Sequence, residues 1–235
     1  MPVAKLQKRE TLNKSTESLS FVMEEDLGFV GGQYIILDSK IPMNEEKNFK
    51  RAYTIASSDE EQRSFRIVYK RLGEGLVTNQ FLDNLKIGQE VSFSGPWGKF
   101  LKNEDFAKEG KTLMVATDTG IASAMSFLSS KRVKNRLKDV DLKWFVPSKD
   151  YFISHDEISE KFSGALGSLE IKAIPEYGKG RDEEFYRSLE SFLEETSYDS
   201  YFLCGDGEVV RRGKELLLKR GHDETQIGTK VYFNK

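Results

Sequence analysis

The stretch Thr112-Leu113-Met114-Val115-Ala116-Thr117-Asp118-Thr119-Gly120-Ile121-Ala122-Ser123 divides the chain into two kinds of sequence. It opens on a six-residue apolar run of the buried-strand type, passes through a tight Thr/Gly turn and enters a helix-like segment, Ile121 to Asn135. Beyond it, further short apolar runs stand at Leu142–Val146, Leu169–Ile174 and Tyr201–Cys204. Helix patterns fall between and after them, at Asp156–Phe162, Asp182–Glu195 and Val209–Lys219. Strands alternating with helices of this length predict a parallel sheet with helices on both faces. Gly221 follows the last helix pattern, where a left-handed cap residue is expected.

Upstream the rhythm is different. Leu19–Met23, Gln33–Leu37, Ala52–Ala56, Phe65–Lys70 and Glu90–Ser94 are short runs rich in β-branched and aromatic residues, separated by Gly, Asn, Asp and Ser clusters. That pattern predicts an antiparallel sheet or barrel. The exception is Val77–Leu85, whose Val77, Phe81, Leu82 and Leu85 recur at helical spacing. The expected organisation is an N-terminal antiparallel β-barrel over residues 1–104, then a parallel-sheet α/β nucleotide-type domain over 105–235. A short polar linker is expected within Leu101–Lys111.

Composition excludes several kinds of chemistry. The chain has 235 residues, with Lys+Arg 36 against Asp+Glu 38, one cysteine and two histidines. One thiol cannot build a disulfide framework, a four-cysteine zinc site or a cysteine-ligated cluster. Two histidines cannot build a three-histidine metal centre. A net charge of -2 carries no electrostatic footprint for nucleic acid. No apolar run approaches the ~20 residues that span a bilayer, and the amino terminus has no apolar core of a secretory signal. The expected setting is cytoplasmic. Any redox or group-transfer chemistry then falls to an organic cofactor.

Four segments can carry such chemistry. In Arg51-Ala52-Tyr53-Thr54 an arginine and a tyrosine share one strand face. Arginine can grip a phosphate and tyrosine can stack on a flat heterocycle, although an ordinary amphipathic strand reads the same way. Gly73-Glu74-Gly75-Leu76-Val77-Thr78 is a glycine turn entering a helix pattern, suited either to a pyrophosphate or to a plain capped turn. Thr117-Asp118-Thr119-Gly120 lies at the carboxyl end of a parallel strand, where ligands bind in open α/β sheets. Cys204-Gly205-Asp206-Gly207 repeats that strand-to-turn transition, with Cys204 either a small buried hydrophobe or a thiol facing a ligand.

Taken in order, these segments resemble the ferredoxin–NADP reductase superfamily over nearly the whole chain. The family's Gly-Gln-Tyr strand is matched by Gly31-Gly32-Gln33-Tyr34, and its Arg-x-Tyr-Ser/Thr strand by Arg51-Ala52-Tyr53-Thr54. Its second flavin segment is similar to Val68-Tyr69-Lys70 followed by Gly75-Leu76-Val77-Thr78, and its Gly-Pro-x-Gly-x-Phe to Gly95-Pro96-Trp97-Gly98-Lys99-Phe100. Its two nicotinamide-side motifs resemble Asp118-Thr119-Gly120-Ile121-Ala122-Ser123 and Cys204-Gly205-Asp206.

The resemblance implies FAD as cofactor and NADPH or NADH as diffusible cosubstrate. It implies that Arg51 pairs with a flavin phosphate, Tyr53 stacks on the isoalloxazine and Thr54 bonds its N5 edge. Val68, Tyr69, Lys70, Gly75, Leu76, Val77 and Thr78 would complete the flavin site. Thr119 and Gly120 would line the dinucleotide's approach, with Cys204, Gly205 and Asp206 near the reacting ring. Ser148 and Lys149 would face the adenosine 2′ position, and Tyr232 would shield the flavin or serve as a sheet-edge aromatic. Thr54 and Cys204 would be the residues beside the chemistry. The implied function is hydride transfer from NAD(P)H to flavin and onward electron transfer to a separate acceptor, such as ferredoxin or flavodoxin.

The chain departs from the family at Thr117 and Asp118, where paired glycines are usual, and at Ser123 and Asp206, which replace prolines. Asp118 and Asp206 bring negative charge to a site for an anion. That departure motivates a second expectation: a flavin-binding electron-transfer or regulatory subunit with a degenerate dinucleotide site.

Overall fold

The computed structural model describes residues 1–44, 47–71, 75, 77–99, 110–148, 151–175 and 178–233. Leu76, Phe100, Lys149, the glycine-turn residues Gly73 and Glu74, and the expected domain boundary at 104/105 lie outside the described residues. The chain forms two compact units, Met1–Lys102 with Met125–Lys131, and Asn103–Ala124 with Arg132–Lys235.

The first unit is an antiparallel sheet of six strands: β1 (Val3–Asn13), β2 (Thr16–Val22), β3 (Tyr34–Pro42), β4 (Asn48–Thr54), β5 (Ser64–Lys70) and β6 (Glu90–Trp97). Their spatial order is β4-β3-β6-β1-β2-β5. The two end strands meet through an Ile55–Ile67 bridge and an Ala56 N–H donated to the Arg66 carbonyl at 2.7 Å. The sheet therefore closes into a barrel along a β4/β5 seam.

Alternation along the strands turns Leu6, Leu19, Phe21, Ile35, Leu37, Phe65, Ile67 and Phe93 inward. Phe21 stacks on Phe65 at 5.2 Å, and Phe65 meets Phe93 edge-on at 5.5 Å. Each such ring removed from water stabilises the fold by about 1.5–3 kcal/mol.

Strand β1 was absent from the sequence expectation, because its inward alternation ends at Leu6. A register shift between Leu6 and Lys8 re-aims the strand, and the half-buried Arg9 then reaches Glu17 and Tyr69. The helix expected over Val77–Leu85 is one wide turn, Val77–Leu82, in which the Asp83 N–H reaches back five residues to the Thr78 carbonyl at 3.0 Å.

The second unit is a parallel sheet of β7 (Thr112–Thr117), β8 (Val140–Val146), β9 (Ser168–Ala173), β10 (Ser200–Asp206) and β11 (Ile227–Phe233), in the order β11-β10-β7-β8-β9. All six residues of β7 are buried, as a central strand covered on both faces requires. Strand order runs outward in both directions from β7 and β10, which makes the crevice at their carboxyl ends a topological switch point.

The helices are α1 (Ile121–Leu128), whose Met125–Leu128 belong to the first unit, and α2 (His155–Phe162), α3 (Lys179–Glu195) and α4 (Gly207–Lys219), which complete the second. Ser154 caps α2 by accepting the Glu157 N–H at 3.1 Å. Gly221 ends α4 with a φ of +90°, and the His222 N–H turns back to the Leu217 carbonyl.

Helix α1 stops seven residues short of the expected Asn135. The buried Asp59 carboxylate accepts the Ser130 hydroxyl at 2.6 Å and the Lys131 N–H at 2.8 Å, and the chain leaves its helical path there. The same carboxylate accepts the Gly31 N–H at 3.0 Å. A Cβ on Gly31 would lie 2.6 Å from the Ser126 carbonyl oxygen, so glycine is required at this contact.

Candidate functional site

In the barrel, the expected flavin residues gather on both sides of the closing seam. Arg51 stands exposed on β4 and makes no ion pair with a described residue. Two residues on, Tyr53 is only 8% exposed, and its hydroxyl lies 3.2 Å from the Thr78 hydroxyl. Across the seam, Val68 and Tyr69 are buried on β5, and the Tyr69 ring meets the Tyr53 ring edge-on at 6.4 Å. Burial raises the Tyr53 phenol, with the Thr78 hydroxyl and the Arg51 charge opposing it. Tyr53 therefore remains a neutral hydroxyl.

Thr54 is buried in register with Tyr34, Lys70 is half-buried at the end of β5, and Gly75 and Val77 lead into Thr78. Three separated motifs thus converge through Tyr53, Tyr69 and Thr78. Tyr53 differs from a freely projecting stacking residue, since its ring is largely enclosed by the barrel core.

The seam fits a flavin dinucleotide on the chemistry of its donors. It offers an accessible guanidinium for a phosphate, two hydroxyls beside it, and two strand edges that part beyond a single bridge.

At the carboxyl end of the parallel sheet, β7 and β10 approach so closely that only glycine fits. A Cβ on Gly120 would lie 2.4 Å from the Cys204 carbonyl oxygen, and one on Gly205, whose φ is +134°, would lie 2.0 Å from the Thr117 hydroxyl. That hydroxyl accepts the Asp206 N–H at 2.9 Å. Cys204 turns inward, 1% exposed, with its thiol against the carbonyls of Val115 and Gly120 at 3.5 and 3.4 Å. Burial pushes this thiol up to about 12, so it is no thiolate at neutral pH.

Thr119 is half-buried in the turn, and Ser148 is exposed just beyond β8. Tyr232 stands on the edge strand β11, its hydroxyl 2.6 Å from that of Ser123.

Both unusual carboxylates are consumed inside this unit. Asp118 is fully buried in a left-handed conformation with φ of +50°, and it pairs with the buried Arg181 of α3. Arg181 also donates to the Pro175 carbonyl at 3.2 Å, and the Trp144 indole N–H donates to the Asp118 carbonyl at 3.0 Å. Asp206 is the N-cap of α4 and accepts the N–H groups of Glu208 and Val209 at 2.9 and 3.4 Å. The negative charge expected at the dinucleotide approach is answered by a guanidinium and by a helix amino terminus. Arg181 had no signal in the sequence, since its partner lies 63 residues away.

Among the described residues, no cluster of His, Cys, Asp or Glu could hold a metal ion, and no helix is long and apolar enough to cross a membrane.

This chain resembles known proteins in sequence and in fold. Residues 3–101 match the family model for the oxidoreductase FAD-binding domain. The glycine betaine monooxygenase reductase subunit of Pseudomonas aeruginosa is 30% identical over 211 residues, covering 87% of this chain and 56% of its own length. NADH-cytochrome b5 reductase 1 of Cryptococcus neoformans is 26% identical over 174 residues, covering 72% of this chain and 57% of its own. The chain thus spans a little over half the length of these curated relatives.

Among solved structures, ferredoxin-NADP+ reductase from Plasmodium falciparum with 2′P-AMP superimposes with a TM-score of 0.77 at 19% identity, covering 98% of this chain and 95% of that one. The FAD/NAD binding domain of nitric oxide dioxygenase from Vibrio cholerae gives 0.75 at 19% identity over 100% and 99% of the two chains. At such identities the agreement is one of fold. Residues 3–101 thus resemble an oxidoreductase FAD-binding domain, and the barrel and parallel sheet have the fold of the ferredoxin-NADP+ reductase structure.

Proposed function

We propose that this chain is an FAD-dependent reductase, taking a hydride from NADPH or NADH and passing electrons to a separate acceptor. The observation that carries the reading is the convergence of Tyr53, Thr78 and the accessible Arg51 at the barrel seam. Arg51 holds a cofactor phosphate, Thr78 orients the adjoining group through its hydroxyl, and Tyr53 and Thr54 border the flat ring. When bound, FAD supplies the chemistry that accepts a hydride and releases electrons singly. The protein's share is positioning. None of these residues needs to exchange a proton.

The second unit takes the dinucleotide at the crevice of Thr119, Gly120 and Gly205. Ser148 and Lys149 meet the adenosine end, and the neutral Cys204 thiol supports the turn from behind. Asp118 and Asp206 are internally compensated, which removes the main ground for a degenerate dinucleotide site. We assign the flavin role to residues 1–104 and the dinucleotide role to 105–235.

The resemblance to a monooxygenase reductase subunit supports a protein acceptor, either an oxygenase component or a small carrier such as ferredoxin or flavodoxin. A single buried thiol suits the cytoplasm. The test is anaerobic: the purified chain, reconstituted with FAD, is mixed in parallel with NADPH and NADH. Bleaching of the flavin absorbance by either is expected, and failure to take up FAD overturns the proposal.

A further inference from the structure

A second polar cluster lies next to the flavin residues. Tyr69 is its hub. The Tyr69 hydroxyl donates to Asp83 at 2.8 Å and lies 3.3 Å from Glu17 and 3.2 Å from an Arg9 nitrogen. Arg71 grips both oxygens of Asp83 at 3.0 and 2.9 Å and reaches Glu17 at 2.5 Å. Arg9 pairs with Glu17 and donates to the carbonyls of Leu82 and Leu85, at 2.5 and 2.9 Å.

The five residues come from β1, β2, the end of β5 and the exit of the wide turn. Two guanidinium groups balance two carboxylates. Burial acts to raise the Glu17 carboxyl, but Arg71 and Arg9 outweigh it and hold the group below its ordinary value, so it stays ionised.

This cluster shares Tyr69 with the candidate site and connects to it again through Asp83. The N–H of Asp83 donates to the carbonyl of Thr78, whose hydroxyl meets Tyr53. The Tyr69 ring backs the Tyr53 ring on the same side of the barrel. Resting on the flavin reading above, we propose that Arg9, Glu17, Tyr69, Arg71 and Asp83 are positioning residues: they anchor the exit of the wide turn and so hold Thr78 against Tyr53 in the geometry that binds FAD.

A wide turn of six residues has few internal bonds to fix its conformation. Its position must come from outside, and these side chains supply it at three points: Leu82, Asp83 and Leu85. Two guanidinium groups offset the two carboxylates, and the role proposed for the cluster is one of geometry.

The experiment uses the full chain reconstituted with FAD and measures the FAD dissociation rate alongside the thermal midpoint of the FAD-free protein. Asp83→Asn removes the charge that Arg71 grips, and Tyr69→Phe removes the hub hydroxyl while keeping the ring. Val91→Ala, a core truncation on β6, controls for loss of stability alone. We expect FAD release to speed up about tenfold or more in the first two variants, since one misplaced or unsatisfied polar contact is worth that factor, and to change little in Val91→Ala at a comparable loss in midpoint. Combined with Thr78→Val, Asp83→Asn is expected to add less than it does alone, which a merely structural role would not produce.

Release rates in Asp83→Asn and Tyr69→Phe that track the midpoint along the line set by Val91→Ala, or additivity with Thr78→Val, overturn the proposal. A wild-type chain that binds no FAD overturns the reading of the site itself, and this proposal with it.

Discussion

Arg51 stands exposed on β4 with no ion pair to a described residue, whereas Asp118 at the end of β7 is fully buried and taken up by Arg181. The two positions occupy equivalent places in the logic of their units, a charged residue beside a strand end where a dinucleotide is expected. One charge faces outward and is available. The other was turned inward and neutralised. The departure at Asp118 therefore leaves no free carboxylate in the turn, because the fold that carries it absorbs the charge.

The largest expected effect breaks the second half of this comparison. Arg181→Met leaves Asp118 buried without its partner, and unfolding in denaturant should show a loss of about 3–5 kcal/mol. Asp118→Gly combined with Arg181→Met should recover much of that loss, since both charges then leave the interior. Removing the outward charge should act differently. Arg51→Met should weaken FAD binding by roughly 10–100-fold, the value of a charge-assisted contact, while the unfolding midpoint of the FAD-free chain stays unchanged.

A smaller effect is expected at the other compensated carboxylate. Asp206→Ala removes the cap of α4 and should cost about 1 kcal/mol in the same denaturant measurement.

The smallest effect is a pH slope. Burial lowers the Lys230 ammonium to about 7 from its ordinary 10.5. Between those values the unfolded chain binds more protons than the folded one, so stability rises with pH above about 7. Above the ordinary 9.0 of a thiol, Cys204, raised to about 12, acts oppositely, because the folded chain retains a proton the unfolded chain loses. The gain should therefore be visible from pH 7 to 9, at up to about 1 kcal/mol per pH unit, and vanish in Lys230→Met. A slope unchanged by that substitution would falsify the assignment.

Much of the fold was legible because its signals are local. Alternation identified β2, β3, β4 and β5, and the apolar run Thr112–Thr117 with its following turn located the central strand of the second unit. The sequence motifs also pointed to Tyr53, Tyr69 and Thr78 as neighbours of one site, and the barrel brings them together. Strand β1 was not legible, because a register shift interrupts its alternation and an arginine occupies the next inward position. The length of α1 was hidden for a related reason: the side chain that ends it, Asp59, comes from elsewhere in the chain.

By itself, then, the sequence determined the two kinds of secondary structure and the order of the motifs, and its single cysteine leaves no internal disulfide within these 235 residues. Those properties follow from periodicity and residue type, which act over a few neighbouring residues. Only the tertiary structure decided how the charges are spent. The pairings of Asp118 with Arg181, of Asp206 with the head of α4, and of Asp83 with Arg71 and Tyr69 depend on which strands and helices meet. A charge in water and a charge paired in the interior look the same in sequence, and burial with a partner is what separates them.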